Sequence, residues 1–403
     1  MGRPLLFVLF LLFLNPSAEG QEVFRYRHQE GDKFRILSQV REEVFINGIF
    51  SHRADILNRI TMEILGDSGG AGEILGTFLT SERAEGFGGA YTWGREYQSR
   101  FFRDSRGLYD IAGEYYMPVV RNVPVFPEEA LLPGERWSYP AEEVHDLRNN
   151  LNVAEAFHIP IEVNYEYQGP VEEGGKTFHR ILIDYRFYYR PEAGRDAGGR
   201  NPLRPRLITG YSRQTLLWDN DQGRPESYSE DFDIFFDLVS GLSLEYRGQA
   251  EARVVEAQLM DRRRIAEDIQ KVLEEGGIGE TEVRQGEEGV TISLNNIQFL
   301  PDSPELRDEE KVKLARIAAI LEAYPGRDIL VSGHTALAGA EAGRLALSRE
   351  RAQAVADYLL QLGCRRPEEI IVQGYGAERP RGDNDTEAGR RLNRRVEITL
   401  LEN

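Results

Sequence analysis

Gly333-His334-Thr335-Ala336-Leu337-Ala338-Gly339 is the stretch around which the rest of the chain reads. A short apolar run, Ile329-Leu330-Val331-Ser332, leads into its first glycine. Helix-forming sequence then runs from Ser348 through Arg351, Ala352, Val355 and Leu359 to Gly363. The pattern predicts a strand, a returning loop and a helix capped at Ser348, so that strand end and first helical turn lie side by side. Backbone amides, Thr335 and the guanidinium of Arg351 then surround one concave spot. Arginine presents a planar fork of donors suited to a carboxylate, so the spot reads as a small anion pocket.

The flanking sequence supplies the frame. Val290-Thr291-Ile292-Ser293-Leu294 alternates as a strand, and Asp302-Ser303-Pro304 reads as the start of a helix with Pro in its first turn. Leu314, Ile317, Ala318 and Leu321 share the buried face of that helix. Ile370-Ile371-Val372 and Val396 to Leu400 complete a mixed sheet. The expected result is a two-layer β/α sandwich with helices on one face, inside a chain that is α+β overall.

Taken together, the run from about Gly289 to Leu400 resembles the OmpA-like C-terminal domain, a peptidoglycan-binding module. The resemblance rests on Ile297-Gln298-Phe299 with Ser303 and Leu306, on Gly333-His334-Thr335 and on Leu347-Ser348-Arg349-Glu350-Arg351-Ala352. It continues through Gly374-Tyr375-Gly376, Pro380, Asn384-Asp385-Thr386, Gly389-Arg390 and Asn393-Arg394-Arg395-Val396-Glu397. It implies a pocket for the diamino acid of a peptidoglycan stem peptide, with Arg351 on the carboxylate and Thr335 beside it. It also places Asn384, Arg390 and Arg394 near the pocket, chiefly holding loops. The family pattern has an Asp directly after Gly-His-Thr to take the ligand's ammonium, and here that position is Ala336. The Asn expected before Leu-Ser is Arg344, and the acid often found after the first strand's Phe is Leu300. Losing one charge-assisted hydrogen bond costs about 1.5–3 kcal/mol, on the order of tenfold to a hundredfold in affinity. Glu341, Glu350, Asp383 and Asp385 are the nearest acids in sequence that could replace the lost one.

Outward from this region, residues 1–20 read as a secretory signal peptide, with Arg3 ahead of an apolar core from Leu5 to Leu14 and Ala18-Glu19-Gly20 at the cut. That core is too short for a transmembrane helix, and no Cys near the cut offers a lipid anchor. The expected location is the periplasm, in the cell envelope, facing the outer membrane or the wall. Residues 21–248 read as a β-rich, mainly antiparallel domain. Phe24 to Arg27 and Phe34 to Val40 alternate, and Asn47-Gly48 marks a hairpin. Ile56, Ile60 and Ile64 fit a strand or a short helix. Ile159 to Tyr167 ends at Gln168-Gly169-Pro170 and is answered by Ile181 to Phe187. Gln214 to Trp218, a turn over 219–225 and Tyr228 to Leu238 form a late hairpin. Pro124 to Pro140 reads as irregular chain. Residues 249–285 read as a charged connecting helix or linker, and 286–403 as the OmpA-like domain.

Composition narrows the chemistry. In 403 residues the net charge is −18, which argues against nucleic-acid partners. The single Cys364 excludes internal disulfides and Cys-based metal sites. None of the six histidines pair at metal-ligand spacing. Asp219-Asn220-Asp221-Gln222-Gly223 lacks the EF-hand spacing and reads as a hairpin turn, and Gly86-Phe87-Gly88-Gly89 is not a phosphate loop. No nucleophile, base or cofactor motif emerges, so a non-enzymatic protein without cofactor or metal is expected. Two readings follow. In one, the C-terminal domain docks on peptidoglycan, weakly or with altered stem-peptide specificity, while the β-rich half meets another envelope partner. In the other, the fold persists as an envelope scaffold that has given up the ligand. An outer-membrane barrel in the first half is a third possibility, opposed by the prolines and charges that interrupt its apolar runs.

Overall fold

The computed structural model describes residues 20–84, 90–148, 151–154, 156–192, 201–256, 261–286, 288–295, 297, 299 and 305–401. Residues 1–19 of the expected signal peptide, the glycine run 86–89, Leu300 and the expected helix cap at 302–304 lie outside the described residues. The chain is mostly β, with four α-helices among the described residues.

Twelve strands come first: β1 (Lys33–Ile46), β2 (Ile49–Ser68), β3 (Ala71–Ala84), β4 (Tyr91–Asp104), β5 (Tyr109–Ile111), β6 (Val120–Arg121), β7 (Arg136–Asp146), β8 (Ala156–Glu173), β9 (Lys176–Tyr189), β10 (Pro205–Asp219), β11 (Arg224–Leu238) and β12 (Ser243–Glu256). All pair antiparallel in a meander from β7 through β12, then β1 to β4, because β1 pairs with both β2 and β12. The sheet curls until its two ends meet, where Tyr97 Oη on β4 donates to Asp146 Oδ2 on β7 at 3.1 Å.

Local chemistry explains the hairpins. Asn47 (φ 53°) and Gly48 (φ 74°) both sit in the left-handed region that a two-residue turn between twisted strands requires. Along β8, Ile159, Ile161, Val163, Tyr165 and Tyr167 are buried while Pro160, Glu162, Asn164 and Gln168 are exposed. β9 answers with Ile181, Ile183, Tyr185 and Phe187 inside and Arg180, Asp184 and Arg186 outside. A charged outer face is the reverse of the apolar band that a transmembrane barrel shows to lipid. Among the described residues no helix is long and apolar enough to cross a membrane.

Several expectations need correction here. β8 does not stop at Gln168: Gly169 (φ +106°) absorbs a register shift, and the strand runs on to Glu173 before a Gly174-Gly175 turn. Pro124 to Pro140, expected as irregular chain, is irregular only in part: from Arg136 it belongs to β7. Phe24 to Arg27 is not a strand, since its backbone bonds go to separate segments: Tyr26 N to Ser105 O at 2.7 Å and Arg27 N to Gly223 O at 3.2 Å. This segment instead delivers Phe24 and Tyr26 to an aromatic cluster with Phe126 and Trp218, at centroid separations of 4.7–5.3 Å. Ile56, Ile60 and Ile64 belong to a strand.

The remaining elements are α1 (Arg262–Glu275), β13 (Thr281–Gln285), β14 (Gly289–Asn295), α2 (Asp308–Glu322), β15 (Ile329–Gly333), α3 (Glu341–Gln361), β16 (Ile370–Gly374), α4 (Glu387–Asn393) and β17 (Arg395–Leu401). Their sheet runs β13-β14-β17-β15-β16, antiparallel except for the parallel β15–β16 pair. Ile292, Leu294, Val331, Val372 and Ile398 face Leu314, Ile317, Val355 and Leu359 across one aliphatic core. The stretch 249–285 is not one connecting helix. Its first residues are the end of β12, and α1 buries Ala266, Ile269 and Leu273 in that same core. α2 starts at Asp308, with Asp308, Glu309 and Glu310 in its first turn, where negative charge suits the helix dipole.

The curled sheet and the C-terminal sheet touch along one edge. β4 pairs parallel with β16 at Tyr91–Ile371 and Thr92–Val372, and Leu79, Leu330, Ile371 and Leu401 pack together there. Beside them Asp328, 3% exposed, accepts from Arg35 Nη1 at 2.9 Å and from Arg59 Nε at 2.7 Å. Arg59 Nη2 also reaches Glu368 O at 2.6 Å.

Candidate functional site

The site forms where β15 ends against α3. A Cβ at Gly333 would stand 1.9 Å from Ser348 O, and one at Gly374 would stand 2.7 Å from Ser348 Oγ. Only glycine lets both strand ends come this close to the helix. α3 begins at Glu341, seven positions before the expected cap. Ser348 is therefore interior, donating to Leu345 O at 2.8 Å and accepting from Gly376 N at 2.9 Å. The early start puts Arg344 on the helix as well.

The loop 334–340 is held from three sides. His334 N donates to Arg395 O at 3.0 Å and Thr335 N to Gly376 O at 2.8 Å. Leu337 N donates to Asn384 Oδ1 at 2.9 Å, an oxygen that also takes Asn393 Nδ2 at 2.9 Å. Amides of this loop were expected to face a ligand, but those at 334, 335 and 337 are committed to the protein. What faces the concavity is side chains. Arg351 lies over the Phe299 ring at 5.0 Å. Burial, and then the neighbouring Arg394, lower its pKa from the ordinary guanidinium value. Thr335 Oγ1, Arg344 Nε and Arg351 Nε are buried with no hydrogen-bond partner among the described residues.

The other predicted residues separate by role. Asn384 and Arg390 serve the loops: Arg390 Nη1 donates to Asn384 O at 2.9 Å and Asp385 O at 3.2 Å. Arg394 donates to Glu387 Oε1 at 2.6 Å, and Arg390 Nε to Glu387 Oε2 at 2.9 Å. Ala336 is buried and offers a methyl group where the family pattern has a carboxylate. Glu341, Glu350, Asp383 and Asp385 are all exposed, and Asp383 Oδ1 is occupied by Asp385 N at 2.9 Å.

Sequence reading missed three partners. Phe299 was visible only as a strand residue, and its cation–π role needs the fold. Glu387 gave no signal as the shared counter-ion of two arginines. Glu397 sits 3.4 Å from His334 Nε2 and accepts from Arg395 Nε at 2.7 Å. Burial pushes the Glu397 carboxyl up, but the combined pull of His334 and Arg395 outweighs it and holds the group well below the ordinary carboxylate range. Burial lowers His334, whose ring stacks on Tyr375 at 5.4 Å. His334 is thereby a fixed part of the loop.

Residues 298–394 match the model of the OmpA family, so this stretch is an OmpA-family domain, and the match leaves the first half of the chain uncovered. Among relatives, "Outer membrane porin F" of Pseudomonas fluorescens is 35% identical over 105 residues, 26% of this chain and 32% of its own length. "Probable lipoprotein YiaD" of Escherichia coli is 33% identical over 147 residues, 36% of this chain and 61% of its own length. "Peptidoglycan-binding protein ArfA" of Mycobacterium bovis is 36% identical over 104 residues, 26% of this chain and 32% of its own length. The chain therefore spans between a third and three fifths of the relatives it matches.

Proposed function

We propose that this is a periplasmic cell-envelope protein whose C-terminal region binds peptidoglycan non-covalently by the carboxylate end of a stem peptide. The observation that carries the reading is that Thr335 Oγ1 and Arg351 Nε, and Arg344 Nε two turns earlier on α3, are buried donors without protein partners. A buried polar group without a partner is costly, and a carboxylate is the kind of acceptor that such donors suit. The peptidoglycan-binding relative, 36% identical across this region, supports the ligand class. Ala336 removes the partner for the ligand's ammonium, so the affinity is lower than in the family pattern or the stem peptide differs. Secretion through residues 1–20 fits this location. In this reading the chain divides between β12 and α1, and the curled sheet serves a second envelope partner.

One observation favours the alternative, a retained fold used as an envelope scaffold. The arginines around the pocket are partly neutralised from within, because Glu387 holds both Arg390 and Arg394.

The test is co-sedimentation of the purified chain with peptidoglycan sacculi from its own source, alongside Arg351→Ala and Ala336→Asp. We expect wild type to bind and Arg351→Ala to lose on the order of tenfold to a hundredfold in affinity. Wild type left in the supernatant while Ala336→Asp binds would establish the scaffold reading instead.

A further inference from the structure

The interior of the curled sheet is not filled. A cavity of about 480 Å³ opens between β1, β2, β9 to β12 and the segment 117–124. Ile36, Ile60, Met62, Phe78, Leu216 and Val254 are part of its apolar wall. Protein interiors pack like organic crystals, so a space this size lies in the range of small-molecule sites, which are mostly apolar with a few placed polar groups.

The polar groups form a belt. Glu143, 4% exposed, accepts from Tyr185 Oη at 2.5 Å on one oxygen and lies 2.7 Å from His145 Nε2 on the other. Glu230 Oε1 accepts from Ser212 Oγ at 2.6 Å and Gln214 Nε2 at 3.3 Å. The belt's own donors are thus spent on the carboxyls, which keep spare acceptor capacity. Burial, and then the hydrogen bonds and the Glu143 charge in balance, leave Glu230 above the ordinary carboxyl range. Two basic residues line the same cavity. Arg103 lies over the Tyr26 ring at 3.9 Å with its Nε unpaired, and Arg253 is exposed. Around Glu143 and Glu230 the cavity therefore suits a head that brings donors, and it opposes an anion there.

We propose that this cavity binds a single-chain amphiphile whose apolar chain lies along Ile36, Ile60, Met62 and Val254 and whose uncharged or cationic head donates hydrogen bonds to Glu143 and Glu230. The site is separate from the peptidoglycan pocket and stands or falls without it.

The experiment is a fluorescence titration of the purified full chain with N-phenyl-1-naphthylamine, followed by displacement with dodecylamine, dodecanol and dodecanoate below their micellar concentrations. The expected result is saturable binding of one equivalent of dye. Dodecylamine and dodecanol displace it, and dodecanoate is weaker by about tenfold or more. Ala252→Trp, which puts a large ring into the cavity beside its cross-strand neighbour Tyr228, abolishes binding with an unchanged far-ultraviolet circular dichroism spectrum. Glu230→Gln narrows the gap between dodecylamine and dodecanoate. No saturable binding by wild type overturns the proposal, and so does a folded Ala252→Trp that binds as wild type does. Dodecanoate binding as tightly as dodecylamine overturns the head-group assignment and points to Arg103. Should Ala252→Trp not fold, the wild-type head-group order and Glu230→Gln still decide.

Discussion

The two halves of this chain make their interiors in different ways. The C-terminal region closes an aliphatic core between a five-stranded sheet and its helices, with Ile292, Leu294, Val331, Val355, Leu359 and Ile398 all inaccessible. Its binding chemistry is left to loops at the rim. The curled sheet packs aromatics at one end, around Phe24, Phe126 and Trp218, and elsewhere surrounds a mainly apolar space belted by acids and hydroxyls. A filled core turns its chemistry outward, and an unfilled one keeps it inside. The difference also shows in charge. Each region holds a carboxyl shifted by burial and neighbours, in opposite directions.

The contact between the two is where the comparison breaks most easily. Asp328→Ala leaves Arg35 and Arg59 buried without their counter-charge, and we expect a loss of about 3–5 kcal/mol in chemical unfolding. Next come truncations inside each region. Leu359→Ala in the filled core should cost about 3–4 kcal/mol. Leu216→Ala on the cavity wall should cost about 1.5–3 kcal/mol, because part of that side chain already faces open space. Equal costs, read from urea midpoints, would mean the cavity is as tightly packed as the core.

The smallest effect sharpens the comparison through pH. Burial, with Glu82 nearby, raises Glu42 on β1 to about 7. Its contribution to stability is fully present below the ordinary carboxyl value and is lost as pH rises through about 7. Glu397 behaves in the opposite sense: its contribution is present above the ordinary value and is lost on acidification. Glu42→Gln should therefore stabilise the chain by about 1–2 kcal/mol at about pH 8, discounted for its partial exposure, and by much less at about pH 5. Glu397→Gln should cost most at about pH 8. Unfolding series at both pH values check the two signs.

How much of this was legible in the sequence depended on whether the signal was local. Alternation from Ile159 to Tyr167 and Asn47-Gly48 located strands and a turn because period and φ are local properties. The start of α3 was missed because Ser348 looks like a cap. Of the seven residues before it, all but Gly343 (Glu341, Ala342, Arg344, Leu345, Ala346 and Leu347) are good helix formers, and the helix extends over them. Arg351 and Thr335 were found from the strand, loop and helix pattern, and the family pattern then gave them a ligand. Their isolation from protein partners, the Phe299 ring and Glu387 come from segments dozens of residues apart and left no mark in any one of them. The cavity was hidden for a related reason. Alternation tells which side chains point inward, not whether the strands curl far enough to leave room between them.

The ion cluster at Asp328 has a mechanical consequence. It ties β1 and β2 to the residue just before β15, while the two-residue β4–β16 pairing fixes the neighbouring edge. A hinge at this seam would have to pull a carboxylate away from two guanidiniums in a dry place, so small rotations meet a steep restoring force. If the C-terminal region is anchored to a wall, tension on that anchor passes into the curled sheet through this stiff coupling.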